Sequence, residues 1–230
     1  MSRHGYYKAM ALDYQKAREN MVDGQIHTAG VVSEGILQSF STVPRELFLP
    51  EKLRGVAYVD ESLPMGKGRH LLEPMVHAKM LQAARLQPND VVLDIGVGAG
   101  YSSAILSPLV TTVVALDDNK RYLDKAARLW DKLGSCNVVA IEREMTRGTP
   151  EHAPFSLIFI NGAIGHIPRE LTDQLGSGGR LLTVLNPDGG SLGQAVLVEK
   201  TGDTHASVTR LFDASVPYLP GFEPAGAFSF

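Results

Sequence analysis

Apolar side chains recur along this chain with two different periods. Over Asp13–His27, Ala17, Met21, Val22 and Ile26 fall roughly on one helical face, with Gly24 interrupting an otherwise helix-favouring run. Ser33 or Glu34 opens a second helix through Ile36, Leu37 and Phe40, and Pro44 ends or redirects it. The stretch Asp60–His70, with Pro64, Gly66 and Gly68, reads as turns. Pro74 suits the first turn of a helix running to about Leu86. From Val91 onward strand and helix alternate. Strands are predicted at Val91–Gly96, Thr111–Asp117, Val138–Ile141, Phe155–Ile160 and Gly179–Leu185. Helices are predicted at Asn119–Leu133, through Leu123, Ala126, Ala127 and Trp130, and at Ile167–Leu175. Gln194–Lys200 and the segment from Val208 predict a terminal antiparallel pair. Strands that are apolar throughout suit a parallel sheet buried on both faces. The alternation predicts an α/β fold with a doubly wound, mostly parallel sheet.

Composition narrows this picture. The chain has 230 residues, 44% of them hydrophobic and 20% charged, with a net charge of −3. These values are ordinary for a globular protein, and Lys and Arg form no basic stripe of the kind nucleic-acid binding needs. No linker divides the chain, so one domain over residues 1–230 is expected, with a helical cap region at 1–88 and an α/β core at 89–230. Met1-Ser2-Arg3-His4-Gly5 is not followed by an apolar segment of secretory-signal type, and no apolar run reaches the roughly 18 residues of a membrane span. Cys136 is the single cysteine, so neither an internal disulfide nor a cysteine metal cluster can form, and it reads as a small buried side chain or an inert thiol. The expectation is a cytoplasmic protein without a bound metal. The apolar run Val216–Phe222 covers either the sheet or a partner.

Candidate chemistry concentrates at Asp94-Ile95-Gly96-Val97-Gly98-Ala99-Gly100. A glycine-rich turn between a first strand and a helix lets backbone approach a ligand at the carboxyl edge of the sheet. The dinucleotide pattern needs its last glycine one residue later, where this chain has Tyr101, and the Lys-Ser/Thr of a P-loop is missing. The next strand ends in Asp117, which either accepts hydrogen bonds from both hydroxyls of a ribose or caps the following helix. Asp118 is a solvated neighbour or the N-cap of that helix. Glu144, after the third strand, either accepts from an adenine amino group or is a surface carboxylate. Asp94 adds negative charge where a methionyl ammonium fits. Adenine, ribose and a cationic sulfonium together describe S-adenosylmethionine. Methyl transfer from this activated donor mainly requires alignment and exclusion of water, so a Ser/His/Asp set is not needed.

Several blocks, in order, carry a resemblance to a known family. They are Met21-Val22-Asp23-Gly24-Gln25-Ile26, Val43-Pro44-Arg45-Glu46-Leu47-Phe48-Leu49-Pro50, Ala57-Tyr58-Val59-Asp60, Leu63-Pro64-Met65-Gly66, the glycine-rich turn with Tyr101, Pro150-Glu151-His152-Ala153-Pro154-Phe155, and Gln174-Leu175 to Gly178-Gly179. In these the chain resembles the protein-L-isoaspartate O-methyltransferases. The resemblance implies a class I, Rossmann-like methyltransferase sheet with an N-terminal helical cap, and S-adenosylmethionine as methyl donor. It implies an isoaspartyl carboxylate of a damaged protein or peptide as acceptor. Such an acceptor is already ionised at neutral pH, given an unperturbed pKa of about 4, so no strong base is required. The cofactor set it implies is Asp94, Gly96, Gly98, Ala99, Gly100, Asp117, Glu144 and Met145, together with His77, which matches a histidine near the cofactor in some members. The chain departs from the family within Gly68–Ala78. The family's Thr-Ile-Ser run ends in the serine usually assigned to its active site, and that serine falls on Leu72, which has no hydroxyl. The family's Gly-Asp-Gly reads Arg143-Glu144-Met145. No catalytic residue is therefore assigned. His70 and Glu73, flanking Leu72, and Asn161, after the fourth strand, are the candidates for the acceptor pocket. Three readings follow: isoaspartyl methylation, methylation of a different acceptor on the same fold, and cofactor binding without isoaspartyl repair. A nicotinamide-dependent dehydrogenase is disfavoured by Tyr101.

Overall fold

A computed structural model describes residues 13–202 and 206–224; the N-terminal pentapeptide discussed above lies outside them. The first helix, α1 (Tyr14–Met21), starts where the Asp13 side chain accepts the Lys16 N–H, and continues as a π-helical turn over Val22–His27. That wider turn holds Gly24 and still buries Val22 and Ile26, so the predicted apolar face survives the glycine. Next come α2 (Glu34–Thr42) and α3 (Pro74–Ala84), the latter with Pro74 in its first turn as expected.

Between them, the stretch read as turns is an antiparallel hairpin, β1 (Leu63–Gly66) with β2 (Arg69–Leu71). Its proline is tolerated because a two-stranded ribbon has only edges. Lys67 (φ 51°) and Gly68 (φ 70°) supply the left-handed backbone of its turn.

The core is a sheet built from β3 (Val91–Ile95), β4 (Thr112–Asp117), β5 (Val138–Glu142), β6 (Phe155–Ile164), β7 (Leu175–Leu185), β8 (Gly193–Lys200) and β9 (Ala206–Ala214). Its seven strands run in the order β5-β4-β3-β6-β7-β8-β9. Pairing is parallel from β5 to β7 and antiparallel in β7–β8 and β8–β9. This is the predicted mostly parallel α/β sheet with its antiparallel end. The order reverses between β3 and β6, which opens a crevice beyond their carboxyl ends.

Successive strand residues point to opposite faces. Val92, Val113, Ala115, Leu157 and Phe159 pack with α2, α3, α4 (Tyr101–Leu106) and α5 (Lys120–Leu133). Leu93, Ile95, Val114, Leu116, Ile158 and Ile160 pack on the other side, against Leu171, Leu175, Leu219 and Phe222. Among the described residues, that second face carries Met145 from a short turn after β5, α6 (Arg169–Thr172) and the chain beyond β9. The helix expected over Ile167–Leu175 is thus one short turn. Leu175 instead pairs with Phe155 as the first residue of β7. The apolar run at Val216–Phe222 covers the sheet: Tyr218 bridges to Ala163, and the Gly165 N–H donates to the Phe222 carbonyl.

Three smaller expectations are corrected. β6 extends to Ile164, so Asn161 and Gly162 lie within a strand, at an irregularity in its pairing with β7. Asn119, not Asp118, is the N-cap of α5. Cys136 is exposed, because it follows α5 on the surface connection to edge strand β5. Among the described residues no helix is long and apolar enough to cross a membrane.

Candidate functional site

The glycine-rich turn joins β3 to α4 through three left-handed glycines, Gly96 (φ 74°), Gly98 (φ 51°) and Gly100 (φ 90°). Each is also enclosed. A Cβ on Gly96 would lie 2.5 Å from Leu219, one on Gly98 2.6 Å from Met65, and one on Gly100 2.6 Å from the Trp130 ring. The Trp130 indole N–H donates to the Gly100 carbonyl, which ties α5 to the turn.

Asp94, the penultimate residue of β3, is fully buried. Ser102 and Ser103, from the first turns of α4, each donate a 2.6 Å hydrogen bond to its Oδ2, and the Asn161 amide donates a 2.6 Å bond to its Oδ1. Burial pushes its carboxyl up to about 6, against the pull of those three donors. Asp94 therefore locks β3, β6 and α4 together. Asn161 spends its amide on Asp94 and the Ile95 carbonyl, and so braces the turn.

Asp117, at the carboxyl end of β4, is also fully buried. The Gly98 N–H reaches its Oδ2 at 2.9 Å and the Asn119 N–H its Oδ1 at 3.0 Å. Each oxygen takes a second donor from Arg69 of the hairpin, Nε at 2.9 Å and Nη2 at 3.1 Å. Arg69 also reaches Asp118 at 2.5 Å and the Lys67 carbonyl. The carboxylate thus makes a bidentate pair with a planar guanidinium.

The other candidates are dispersed. Glu144 is exposed, accepting from Thr146 and Arg147, which hold its carboxyl below the usual range, while Met145 is buried under the second face. His77 lies inside α3 among Phe40, Tyr101 and Phe159. Its Nε2 is buried with no hydrogen-bond partner. Burial, with Arg45 nearby, drives its pKa down to about 3, and the ring is neutral. Leu72 is buried in the core between β2 and α3, and its carbonyl accepts from Arg45 Nη2 at 2.7 Å. His70, in β2, is partly buried, which lowers its pKa; Glu73, the N-cap residue of α3, is raised by burial and then by Asp60.

Sequence reasoning missed Arg69, Arg45, Leu219 and the two serines. Ser102 and Ser103 follow the turn directly and were legible as donors toward a buried acid. Arg69 gave no local signal, and Leu219 showed only as part of an apolar run with no stated target, since their partners lie far along the chain.

The donor set fits a ribosyl ligand at Asp117. Its carboxylate is oriented to accept two side-chain donors at once, beside a turn in which glycine alone fits. In this conformation Arg69 supplies those donors, and Leu219 rests on Gly96.

The family model described as protein-L-isoaspartate(D-aspartate) O-methyltransferase matches residues 16–222. A protein-L-isoaspartate O-methyltransferase 1 of Syntrophobacter fumaroxidans is 34% identical over 200 residues, covering 87% of this chain and 92% of that protein. One from Roseiflexus castenholzii is 36% identical over 212 residues, covering 91% and 95%. A solved protein-L-isoaspartate O-methyltransferase superposes with a TM-score of 0.76 at 25% identity, over 89% of this chain and 66% of that one. A Plasmodium falciparum structure of the same description, in complex with S-adenosyl-L-homocysteine, shares the fold with a TM-score of 0.70 at 19% identity, over 90% and 97%. On the span of that family match and the breadth of these relatives, the chain belongs to the protein-L-isoaspartate(D-aspartate) O-methyltransferase family.

Proposed function

We propose that this protein is an S-adenosylmethionine-dependent methyltransferase that esterifies a carboxylate on a protein or peptide, isoaspartyl residues being the first acceptor to test. The observation that carries the reading is Asp117. It stands at the end of the strand beside the glycine-rich turn, with two backbone N–H groups already holding its oxygens. Asp117 would hold the ribose hydroxyls, and the backbone of Gly96–Gly100 would lie against the rest of the cofactor. The bound group supplies a methyl already activated on a positive sulfur. The chain's own work is orientation and exclusion of water. Asp94, Ser102, Ser103 and Asn161 fix the turn, and the β1–β2 hairpin with the segment at 216–224 covers the crevice. An ionised acceptor carboxylate needs no base, which agrees with an apolar side chain at Leu72, just beyond the hairpin. Of the remaining cofactor candidates, the exposed Glu144 contributes at most an edge contact, and the enclosed His77 acts on the scaffold.

Calorimetry with S-adenosylmethionine and S-adenosylhomocysteine tests the cofactor. Micromolar binding is the expected result, and no heat at millimolar ligand rejects it. Labelled-methyl transfer to an isoaspartyl peptide, against its aspartyl twin, tests the acceptor. Base-labile label on the isoaspartyl peptide alone is expected.

Leu72 supports a second reading, in which the same fold methylates a different acceptor or binds cofactor without repair. Label entering a lysate component but neither peptide would establish the different acceptor. Binding with no label in either peptide or the lysate would leave the cofactor-binding role. The cytoplasm is the compartment proposed for either.

A further inference from the structure

We propose that Arg69 is an internal ligand of the cofactor site: its guanidinium occupies the place of the ribose diol on Asp117 and must leave before a nucleoside can bind. The inference rests on the cofactor reading given above. A guanidinium edge and a vicinal diol make the same demand on a carboxylate, two adjacent donors directed at two oxygens. Arg69 meets it with bonds of 2.9 and 3.1 Å, at a point where both partners are almost wholly buried. The two backbone donors, Gly98 N–H and Asn119 N–H, take the remaining positions on the carboxylate, so the diol and the guanidinium cannot be held together.

The surrounding contacts favour the closed arrangement. Tyr122 of α5 donates to the carbonyls of Met65 and Gly66 and holds the hairpin down. Pro220 packs on Gly68 at the hairpin turn, and Leu219 packs on Gly96. Asp118, half exposed and already in contact with Arg69, offers the side chain a second anchor at the solvent edge when it withdraws. Ligand affinity is then the intrinsic affinity reduced by the fraction of molecules in which Arg69 has vacated Asp117.

Calorimetric titration of S-adenosylhomocysteine into the wild type, Arg69→Gln and Arg69→Lys tests the proposal. Arg69→Gln removes the charge and the fork, and Arg69→Lys keeps the charge but loses the fork. Arg69→Gln is expected to bind at least about tenfold more tightly than wild type, with Arg69→Lys between them. Equal or weaker binding by both variants overturns the proposal while leaving the cofactor reading intact. No binding by any of the three overturns both. A measurement on the wild type does not depend on variant folding: the Arg69 Nε–H resonance should shift as S-adenosylhomocysteine saturates the protein. A resonance that stays fixed at saturation rejects the displacement.

Discussion

His77 and Asp94 are both buried at ionisable positions, and burial moves them in opposite directions. The His77 ring, taken from 6.5 to about 3, refuses a proton that the unfolded chain accepts, so stability is lost as pH falls from about 6.5 toward 3. The Asp94 carboxyl, taken from 3.8 to about 6, holds a proton that the unfolded chain has released, so its contribution falls as pH rises from about 4 to 6. Between pH 4 and 6 the two slopes oppose each other, and below about 4 His77 acts alone. Replacing His77 by Leu removes one side of this balance and leaves an apolar residue in an apolar site. In urea unfolding, the stability change between pH 7 and pH 4 should differ between wild type and His77→Leu by on the order of 3 kcal/mol, with the wild type losing more on acidification. Superimposable pH profiles would show that His77 is solvated. The sequence placed His77 within the helix that Pro74 opens. It could not reveal the orphaned Nε2, which depends on Phe40, Tyr101 and Phe159 arriving from three other elements.

Among the elements, those with strong periodicity were legible and those set by distant pairing were not. The strands at Val91, Thr112 and Val138 and the helix at Lys120–Leu133 lie within a residue or so of where the pattern places them. The hairpin at Leu63–Leu71 was hidden by its own proline and glycines, since two short strands that pair with nothing else show little apolar alternation. The helix after Pro168 is cut to one turn for the opposite reason: Leu175, which continues its spacing, is recruited into β7 by Phe155. The turn at Gly96–Gly100 was legible because the backbone itself demands glycine there. Gly100 combines a left-handed φ with a Cβ position 2.6 Å from the Trp130 ring and 2.7 Å from the Ala126 Cβ. Gly100→Ala should cost about 2–4 kcal/mol, from strained backbone plus overpacking. Urea unfolding followed by the fluorescence of Trp130, the only tryptophan, measures this directly. A loss below about 0.5 kcal/mol would mean that α5 yields freely.

At the scale of the molecule, the second face of the sheet depends on a segment without helix or strand. Leu219 and Phe222 are both about 1% exposed, and Leu219 touches Gly96 and Gly162 beyond β3 and within β6. Leu219→Ala should therefore destabilise by about 2–5 kcal/mol, the range for truncating a buried leucine. A loss under 1 kcal/mol in denaturant titration would show that the segment is loosely held. The run's apolar character was plain from the sequence, but its target was not, because a chain of this composition suits a neighbouring molecule as well as its own sheet. Arg69 and Asp117, 48 residues apart, meet only because the hairpin folds back over the carboxyl edge.

That ion pair also bears on how the protein matures. Asp117 is neutralised from within, so a newly made chain reaches a charge-balanced interior with no small molecule present. If Asp117 is the cofactor's ribose site as proposed, folding of that site would not wait for the methyl donor. Refolding from denaturant should give the same yield in ligand-free buffer as in saturating S-adenosylhomocysteine.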